Sequence, residues 1–185
     1  MYRYREVSAK LWRRRSAACY GHAVSGSKRA LFIDWGGTLA LTRNNRTVVD
    51  AAGNPVLMDN VAATLKRERP RYDACFIVSN QARIAKGEIS EAEVARRFAW
   101  ANEQLGRPFT EWRLCPHTDA DGCACRKPRP GMFLELARLH DVDLRASTHV
   151  GDSEKDRDAA AAAGVGSFVW AADFFSWSTT PGRLA

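Results

Sequence analysis

The segment Ala30-Leu31-Phe32-Ile33-Asp34-Trp35-Gly36-Gly37-Thr38 decides the fold class of this 185-residue chain. Its first four residues form a short apolar run, which is typical of a β-strand buried on both faces. A carboxylate, a glycine pair and a hydroxyl follow soon after, so the strand is expected to end before Asp34. The glycines permit a tight turn and a close approach of the backbone to a ligand. The segment therefore predicts a buried parallel strand with a candidate site at its carboxyl end.

Further apolar runs alternate with stretches of helical spacing along residues 30–170. The additional predicted strands are Ala74–Val78, Trp112–Leu114, Thr148–Val150 and Ser167–Trp170. The predicted helices are Val56–Arg67, Ser90 (as N-cap) to about Leu105, Pro130–His140 and Asp156–Ala163. This alternation predicts an α/β fold with a Rossmann-like, doubly wound parallel sheet. In the tail, Phe174, Phe175 and Trp177 are expected to cover an open edge of the core, with an oligomer contact as the alternative.

The formal net charge of +7 is concentrated at the N-terminus. Residues 1–29 hold eight basic residues and one acidic residue, whereas residues 30–185 hold twenty of each. We therefore expect two parts: a basic N-terminal arm, 1–29, and a folded domain, 30–185. A nucleic-acid binder needs a basic face on its folded body, so the neutral body disfavours that function.

Composition and missing motifs exclude several classes of protein. No apolar run approaches the roughly 18–20 residues of a membrane span. No secretory signal is visible, so a cytoplasmic location without membrane contact is expected. Five cysteines are present, and three of them lie at 115–125 beside a histidine, which favours metal binding over disulfides. No Gly-x-x-x-x-Gly-Lys-Ser/Thr segment occurs, which excludes a P-loop kinase.

Polar residues gather in four loops near the ends of the predicted strands. Ligands of open α/β sheets bind beyond the carboxyl ends of the strands, so these loops are expected to meet. The residues are Asp34, Ser79, Lys127, and Asp152 with Asp156. They permit phosphoryl transfer through a covalent aspartyl-phosphate, with Asp34 as the nucleophile. Asp34 and Asp152, supported by Asp156, suit Mg²⁺, while Lys127 and the Ser79 hydroxyl suit the phosphoryl oxygens.

A second metal site is predicted in residues 115–125. Cys115-Pro-His117 and Cys123-Ala-Cys125 supply three thiolates and one imidazole, enough for a closed tetrahedral zinc site. Because four protein ligands leave no position for substrate, this zinc is expected to be structural. Residues 119–122 have the small polar composition of the turn that such a loop needs. We expect the loop to fix Arg126 and Lys127.

The four segments resemble the four motifs of the haloacid dehalogenase (HAD) superfamily over about residues 30–170. Val78-Ser79-Asn80-Gln81 and the segment 115–132 are most similar to the histidinol-phosphatase and heptose-bisphosphate-phosphatase branch, whose members carry a zinc loop and no large cap. The resemblance implies a capless HAD-like domain with Asp34, Ser79 and Lys127 as catalytic residues. It implies substrate contacts from Thr38, Asn80 and Arg126, and Mg²⁺ binding by Asp34, the Gly36 backbone and Asp152, with Asp156 supporting.

Gly36 departs from the pattern of the superfamily. Most of its phosphatases carry a second aspartate here, which protonates the leaving group and then activates water. Three interpretations follow: a surrogate such as a substrate group, Asp156 or Asp158 does this work; the leaving group needs no acid; or the protein is weakly active or inactive. Phosphonoacetaldehyde hydrolases also have a small residue here, but the segment between Asp34 and Ser79 is too short for their cap.

The expected function is Mg²⁺-dependent hydrolysis of a small phosphorylated metabolite of the sugar phosphate or bisphosphate type. One alternative is a weak or inactive phosphoryl-binding relative. Another is a nucleic-acid 3′-phosphatase, in which the basic arm tracks the phosphate backbone. The expected oligomeric state is a monomer or weak dimer.

Overall fold

A five-stranded parallel sheet forms the centre of the computed structural model, which describes residues 27–177. Its strands are β1 (Ala30–Ile33), β4 (Ala74–Asn80), β5 (Glu111–Cys115), β6 (Thr148–Gly151) and β7 (Ser167–Trp170). Their spatial order is β5-β4-β1-β6-β7, and every pairing is parallel. The predicted parallel sheet is confirmed. Nearly all of the predicted arm lies outside the described residues, so the division at residue 29 stays a prediction.

Strand β1 lies in the middle of the sheet, with β4 on one side and β6 on the other. All four of its residues are fully buried, as the apolar run predicted. The chain crosses from one side of β1 to the other along the sheet. Ligands bind at such a switch point, beyond the carboxyl ends of the strands. The topology therefore indicates that a ligand site lies at the loop that begins at Asp34.

Five α-helices complete the described fold. They are α1 (Val61–Glu68), α2 (Glu91–Gln104), α3 (Gly131–His140), α4 (Glu154–Ala163) and α5 (Ala171–Phe174). The predicted N-cap of α2 is confirmed, because the Ser90 side chain accepts a hydrogen bond from the Glu93 amide at 3.1 Å. Within residues 27–177, no helix combines the length and apolar character that crossing a membrane requires.

The prediction that a helix begins at Val56 is wrong, since α1 begins five residues later. The Val56 amide donates to the Val48 carbonyl at 2.9 Å, and the Leu41 amide donates to the Val56 carbonyl at 2.8 Å. These long-range backbone bonds hold the segment extended, which its local helical spacing did not reveal. They also support a short hairpin, β2 (Thr42–Arg43) and β3 (Arg46–Thr47), that the sequence did not predict.

Two apolar clusters cover the two faces of the sheet. Trp35 is buried in one of them, with its ring 4.5 Å from that of Phe98. Phe175 is fully buried in the same cluster, and Phe174 and Trp177 pack against it. This confirms that these tail aromatics cover the core. The described elements between β1 and β4 are the hairpin, α1 and a three-residue 3₁₀-helix, Arg69–Arg71, in agreement with the capless fold.

Candidate active site

Lys127 lies at the centre of the candidate site and is 2% exposed. Its ammonium group is 2.5 Å from Asp34 Oδ1, donates to the Val78 carbonyl at 2.8 Å and contacts Asp156. Asp34 follows β1 directly, and its amide donates to the Val150 carbonyl of β6 at 2.9 Å. Groups from the loop after β1, from the end of β4, from the loop before α3 and from the first turn of α4 therefore meet at the end of β1, as the order of the segments predicted.

Asn80, at the end of β4, holds the backbone of Lys127. Its side-chain amide donates to the Lys127 carbonyl at 3.0 Å, and its carbonyl oxygen accepts from the Lys127 amide at 2.9 Å. The two bonds link β4 to the loop before α3. Asn80 was predicted to contact substrate. The structure adds its contact with the Lys127 backbone, which the residues around Asn80 in the sequence do not indicate.

Asp152 and Asp156 approach the site from the loop after β6 and from α4. Ser153 and Asp156 form a capping box, in which Asp156 Oδ2 accepts from the Ser153 amide at 3.2 Å; the Ser153 hydroxyl also donates to Asp156 Oδ2 at 2.5 Å. Asp152 packs against Gly37, which has φ +79°, and a Cβ on Gly37 would lie 2.3 Å from Asp152 Oδ2. Only a glycine permits both the backbone angle and this close approach.

The carboxylates around Lys127 carry more negative charge than its single ammonium group balances. Burial raises the pKa of Asp34 to about 7; the Lys127 charge opposes this, and the Asp156 and Asp152 charges add to it. Desolvation and the charge of Asp156 raise the pKa of Asp152 to about 6. Burial also opposes ionisation of Asp156, but the charges and hydrogen bonds of Lys127 and His149 together outweigh it and hold the pKa of Asp156 well below its usual range.

This group of carboxylates fits a divalent cation. Asp34, Asp152 and Asp156 each offer an oxygen, and the three oxygens lie within 4.8 Å of one another. Three carboxylates face one ammonium group, so a dication would balance the charge. Hard oxygen ligands of this kind suit Mg²⁺.

His149 is a buried polar residue that the sequence analysis missed. It is 0% exposed, its Nδ1 lies 3.2 Å from the Phe32 carbonyl, and its Nε2 lies 3.6 Å from Asp156 Oδ1. Burial lowers the pKa of His149. The imidazole therefore approaches the same Asp156 oxygen that Lys127 contacts. A histidine inside an otherwise apolar strand was the available signal.

The four predicted zinc ligands lie together in one group. Cys115 Sγ is 3.6 Å from both His117 Nδ1 and Cys123 Sγ, and Cys125 Sγ is 3.3 Å from His117 Nδ1 and 3.5 Å from Cys123 Sγ. Ligands at about 2.3 Å from a tetrahedral zinc would be about 3.7 Å apart. The hydrogen bond with Cys125 lowers the pKa of Cys115 to about 6 and raises that of Cys125. The group fits zinc.

The turn between the ligand pairs is tied to the candidate site. Residues 119–121 form a short 3₁₀-helix, capped by Thr118 and ended by Gly122 at φ +58°, which confirms the predicted turn. Arg126 donates to Asp119 Oδ1 at 2.7 Å and to the His117 carbonyl at 3.2 Å. The guanidinium of Arg126 is therefore attached to the zinc loop beside Lys127.

A cavity of about 440 Å³ opens over these residues. Ser79, Asn80 and Arg126, three of the predicted catalytic or substrate-binding residues, line it together with Asp34 and Lys127. Ser79 is 2% exposed, and its hydroxyl accepts from Gln81 Nε2 at 2.9 Å. Thr38 is fully buried and is not among the cavity-lining residues, so its contact with substrate stays a prediction.

Replacing Gly37 by alanine is expected to impair turnover and raise the Mg²⁺ concentration needed for activity. The added Cβ would displace Asp152, and a misplacement of about 1 Å costs on the order of 10²-fold in rate. Steady-state kinetics over a Mg²⁺ titration would measure both effects. Gly106→Ala is the matched control, because Gly106 has the same φ of +79° and nothing within 4 Å of its Cβ position. Equal activity in the two variants would contradict the prediction.

The fold is that of a HAD-type phosphatase, and comparisons with known proteins agree. The sequence profile described as polynucleotide kinase 3 phosphatase matches residues 29–169. The chain belongs to this family of HAD phosphatases, in the branch that contains the heptose bisphosphate phosphatases. It is therefore a phosphatase of the hydrolase class.

The similar proteins are D-glycero-β-D-manno-heptose-1,7-bisphosphate 7-phosphatases. The one from Rhodopseudomonas palustris is 37% identical over 60% of this chain and 67% of its own length. The one from Escherichia coli K12 is 31% identical over 79% of this chain and 80% of its own length. The crystal structure of D,D-heptose 1,7-bisphosphate phosphatase from B. bronchiseptica with magnesium and phosphate has a TM-score of 0.66 and 29% identity, covering 75% of this chain and 78% of that one.

Proposed function

We propose that this chain hydrolyses the phosphate ester of a small phosphorylated metabolite, of the sugar phosphate or bisphosphate type, through a phosphorylated Asp34. One observation carries the proposal: the Lys127 ammonium group lies 2.5 Å from Asp34 in a buried site that opens to a cavity. The names of the relatives, which are sugar bisphosphate phosphatases, support the substrate class.

Each residue has a part in this reaction. A carboxylate oxygen of Asp34 attacks phosphorus as the bond from phosphorus to the leaving oxygen breaks. Water then attacks the phosphoryl group, the bond to Asp34 breaks, and inorganic phosphate leaves. Lys127 and the Ser79 hydroxyl bind the phosphoryl oxygens while negative charge shifts among them.

Asp34, the Gly36 carbonyl and Asp152 would hold Mg²⁺, with Asp156 supporting them. The ion would neutralise phosphoryl charge and orient the phosphate toward Asp34. The raised pKa values of Asp34 and Asp152 support this assignment, since a nearby dication would relieve the repulsion that contributes to them. Zinc at Cys115, His117, Cys123 and Cys125 would have the structural role of holding the loop that carries Arg126 and Lys127.

A screen of phosphorylated metabolites with Mg²⁺ tests the proposal. Release of inorganic phosphate from sugar phosphates or bisphosphates is the expected result, with mass spectrometry of acid-quenched enzyme detecting phosphorylated Asp34. A 3′-phosphorylated oligonucleotide belongs in the same screen, because the family description favours that substrate. Turnover of the oligonucleotide alone would replace the proposed substrate class, and no turnover of any compound would overturn the proposed hydrolysis.

A further inference from the structure

The cavity wall beside Asp34 carries no acidic side chain at Gly36. A Cβ on Gly36 would lie 3.2 Å from the Thr42 methyl carbon, so hairpin β2–β3 occupies the space in front of it. The Trp35 indole donates to the Thr47 hydroxyl at 3.2 Å and attaches the hairpin to this loop. A methyl group and hydroxyls therefore form this part of the wall.

The commonest general acids, carboxylic acids and histidines, are few among the described residues that line the cavity. Among the described residues that line it there is no glutamate, histidine, cysteine or tyrosine, and its carboxylic acids are Asp34, Asp152 and Asp156. Asp156 is engaged by Lys127 and by Ser153. Asp34 is the nucleophile of the proposed function, and Asp152 faces Gly37 in the candidate cation site. No carboxylic acid of this wall is left to protonate a leaving group.

Positive charge is abundant on the same walls. Besides Lys127, the cavity is lined by Arg83, Lys86, Arg97, Arg126 and Lys155. Arg97 and Arg83 are half-buried, and they pair with Glu93 at 2.8 Å and with Glu88 at 3.0 Å. Fixed cations attract an anion that forms as an ester bond breaks, without any transfer of a proton.

We propose that this site hydrolyses fastest the phosphates whose leaving group departs as a stable anion, acyl phosphates above all, and hydrolyses phosphates of ordinary alcohols more slowly. This inference rests on the proposed function and ranks its substrates by leaving group: acyl and anomeric sugar phosphates react fastest, and phosphates of primary sugar hydroxyls react most slowly. An alcohol leaving group departs as a strongly basic alkoxide and needs a proton donor, whereas a carboxylate does not.

The chemical step balances without a general acid. The bond from Asp34 to phosphorus forms, the bond from phosphorus to the leaving oxygen breaks, and its electron pair remains on that oxygen as a carboxylate. The resulting aspartyl-phosphate is itself an acyl phosphate. Water therefore displaces Asp34 from phosphorus, again with a carboxylate as leaving group, and the proton of the water passes to the released phosphate or to solvent.

The dependence of kcat/KM on the leaving group tests this proposal. The purified full chain with Mg²⁺ would be assayed with acetyl phosphate, 4-nitrophenyl phosphate, phenyl phosphate and glycerol 3-phosphate. We expect kcat/KM to fall steeply along this series, by about 10²–10⁴-fold overall, which is the contribution typical of a general acid. The ratio kcat/KM is the correct quantity because it reports the steps up to phosphoryl transfer to Asp34, even where loss of phosphate from Asp34 limits kcat.

Two variants provide the comparison. Gly36→Asp supplies an acid and is expected to reduce the dependence to about tenfold or less by raising the rate with glycerol 3-phosphate. Gly36→Asn adds a side chain of nearly the same shape that has no acidic proton, and it is expected to retain the steep dependence of kcat/KM on the leaving group. If the Thr42 methyl prevents Gly36→Asp from folding, Gly36→Asp combined with Thr42→Ser removes that methyl and repeats the test.

The outcomes separate this inference from the proposed function. Efficient hydrolysis of glycerol 3-phosphate by the unmodified chain, at a rate similar to that of acetyl phosphate, would overturn the inference and leave the proposed hydrolysis intact. A steep dependence that Gly36→Asp does not flatten would also overturn it. Failure with all four compounds and in the metabolite screen would overturn the proposed function itself.

Discussion

Replacing Asp34 by asparagine is expected to abolish turnover while leaving the fold intact. An amide oxygen is a poor nucleophile, and loss of a nucleophile costs on the order of 10⁴–10⁶-fold in kcat. Asparagine has nearly the same shape and can still accept a hydrogen bond from Lys127. It also removes one of three mutually repelling carboxylates, so the melting temperature should not fall.

Steady-state kinetics, together with thermal unfolding, would measure this effect. Asp173→Asn is a suitable control, because Asp173 is exposed on α5 and does not line the cavity. Acid-quenched Asp34→Asn should also lack the phosphorylated peptide found in the unmodified chain. Substantial turnover by Asp34→Asn in the absence of deamidation would exclude phosphorylation of this residue.

Removing zinc is expected to lower the stability of the folded chain substantially. A ligand present at 100–1,000 times its dissociation constant stabilises the native state by about 3–4 kcal/mol. In a domain of this size that corresponds to roughly 6–16 °C in melting temperature. The loop also carries Arg126 and Lys127, so activity should fall along with stability.

Thermal unfolding with and without a zinc chelator, combined with metal analysis of the purified protein, would measure this effect. Cys123→Ser should unfold at the chelated temperature and show no further response to chelator. Cys75→Ala is the control, because Cys75 is a buried thiol outside the ligand group and should retain the chelator response. Purified protein without zinc, and with a melting temperature unaffected by chelator, would contradict the structural-zinc prediction.

The absent acid at Gly36 connects these experiments. If Asp34→Asn is inactive and the unmodified chain turns over acyl phosphates, the covalent route operates without a dedicated proton donor. The surrogate interpretation then predicts a shallow dependence of kcat/KM on the leaving group. The favourable-leaving-group interpretation predicts a steep one. A weak or inactive phosphoryl-binding protein would fail in both experiments.

Several features were predictable from sequence because they depend on neighbouring residues. The apolar run at 30–33 needs burial on both faces, and its burial in the middle of a parallel sheet agrees. Cys115, His117, Cys123 and Cys125 are close along the chain, so a short turn brings them together. Ser90 caps α2 through a contact with a residue three positions later. In each case local geometry was sufficient.

Other features required the tertiary structure, because they join residues far apart in the chain. Asn80 contacts Lys127 across 47 positions, and His149 contacts Phe32 across 117. The extended segment before α1 is held by the backbone hydrogen bonds of Val56 with Leu41 and Val48, which outweigh its helical spacing. Packing of separate elements decides such contacts, and no local pattern encodes it.

The fold class, the chain order of the site segments and the grouping of Cys115, His117, Cys123 and Cys125 were predictable from sequence, since each follows from the spacing and burial of nearby residues. Three features became known only from the tertiary structure. Asn80 holds the Lys127 backbone, Asp152 packs closely against Gly37, and Thr42 lies in front of Gly36. Those facts depend on atoms within about 4 Å of one another whose residues lie on different elements. Their proximity arises only when the sheet, the hairpin and the zinc loop pack together.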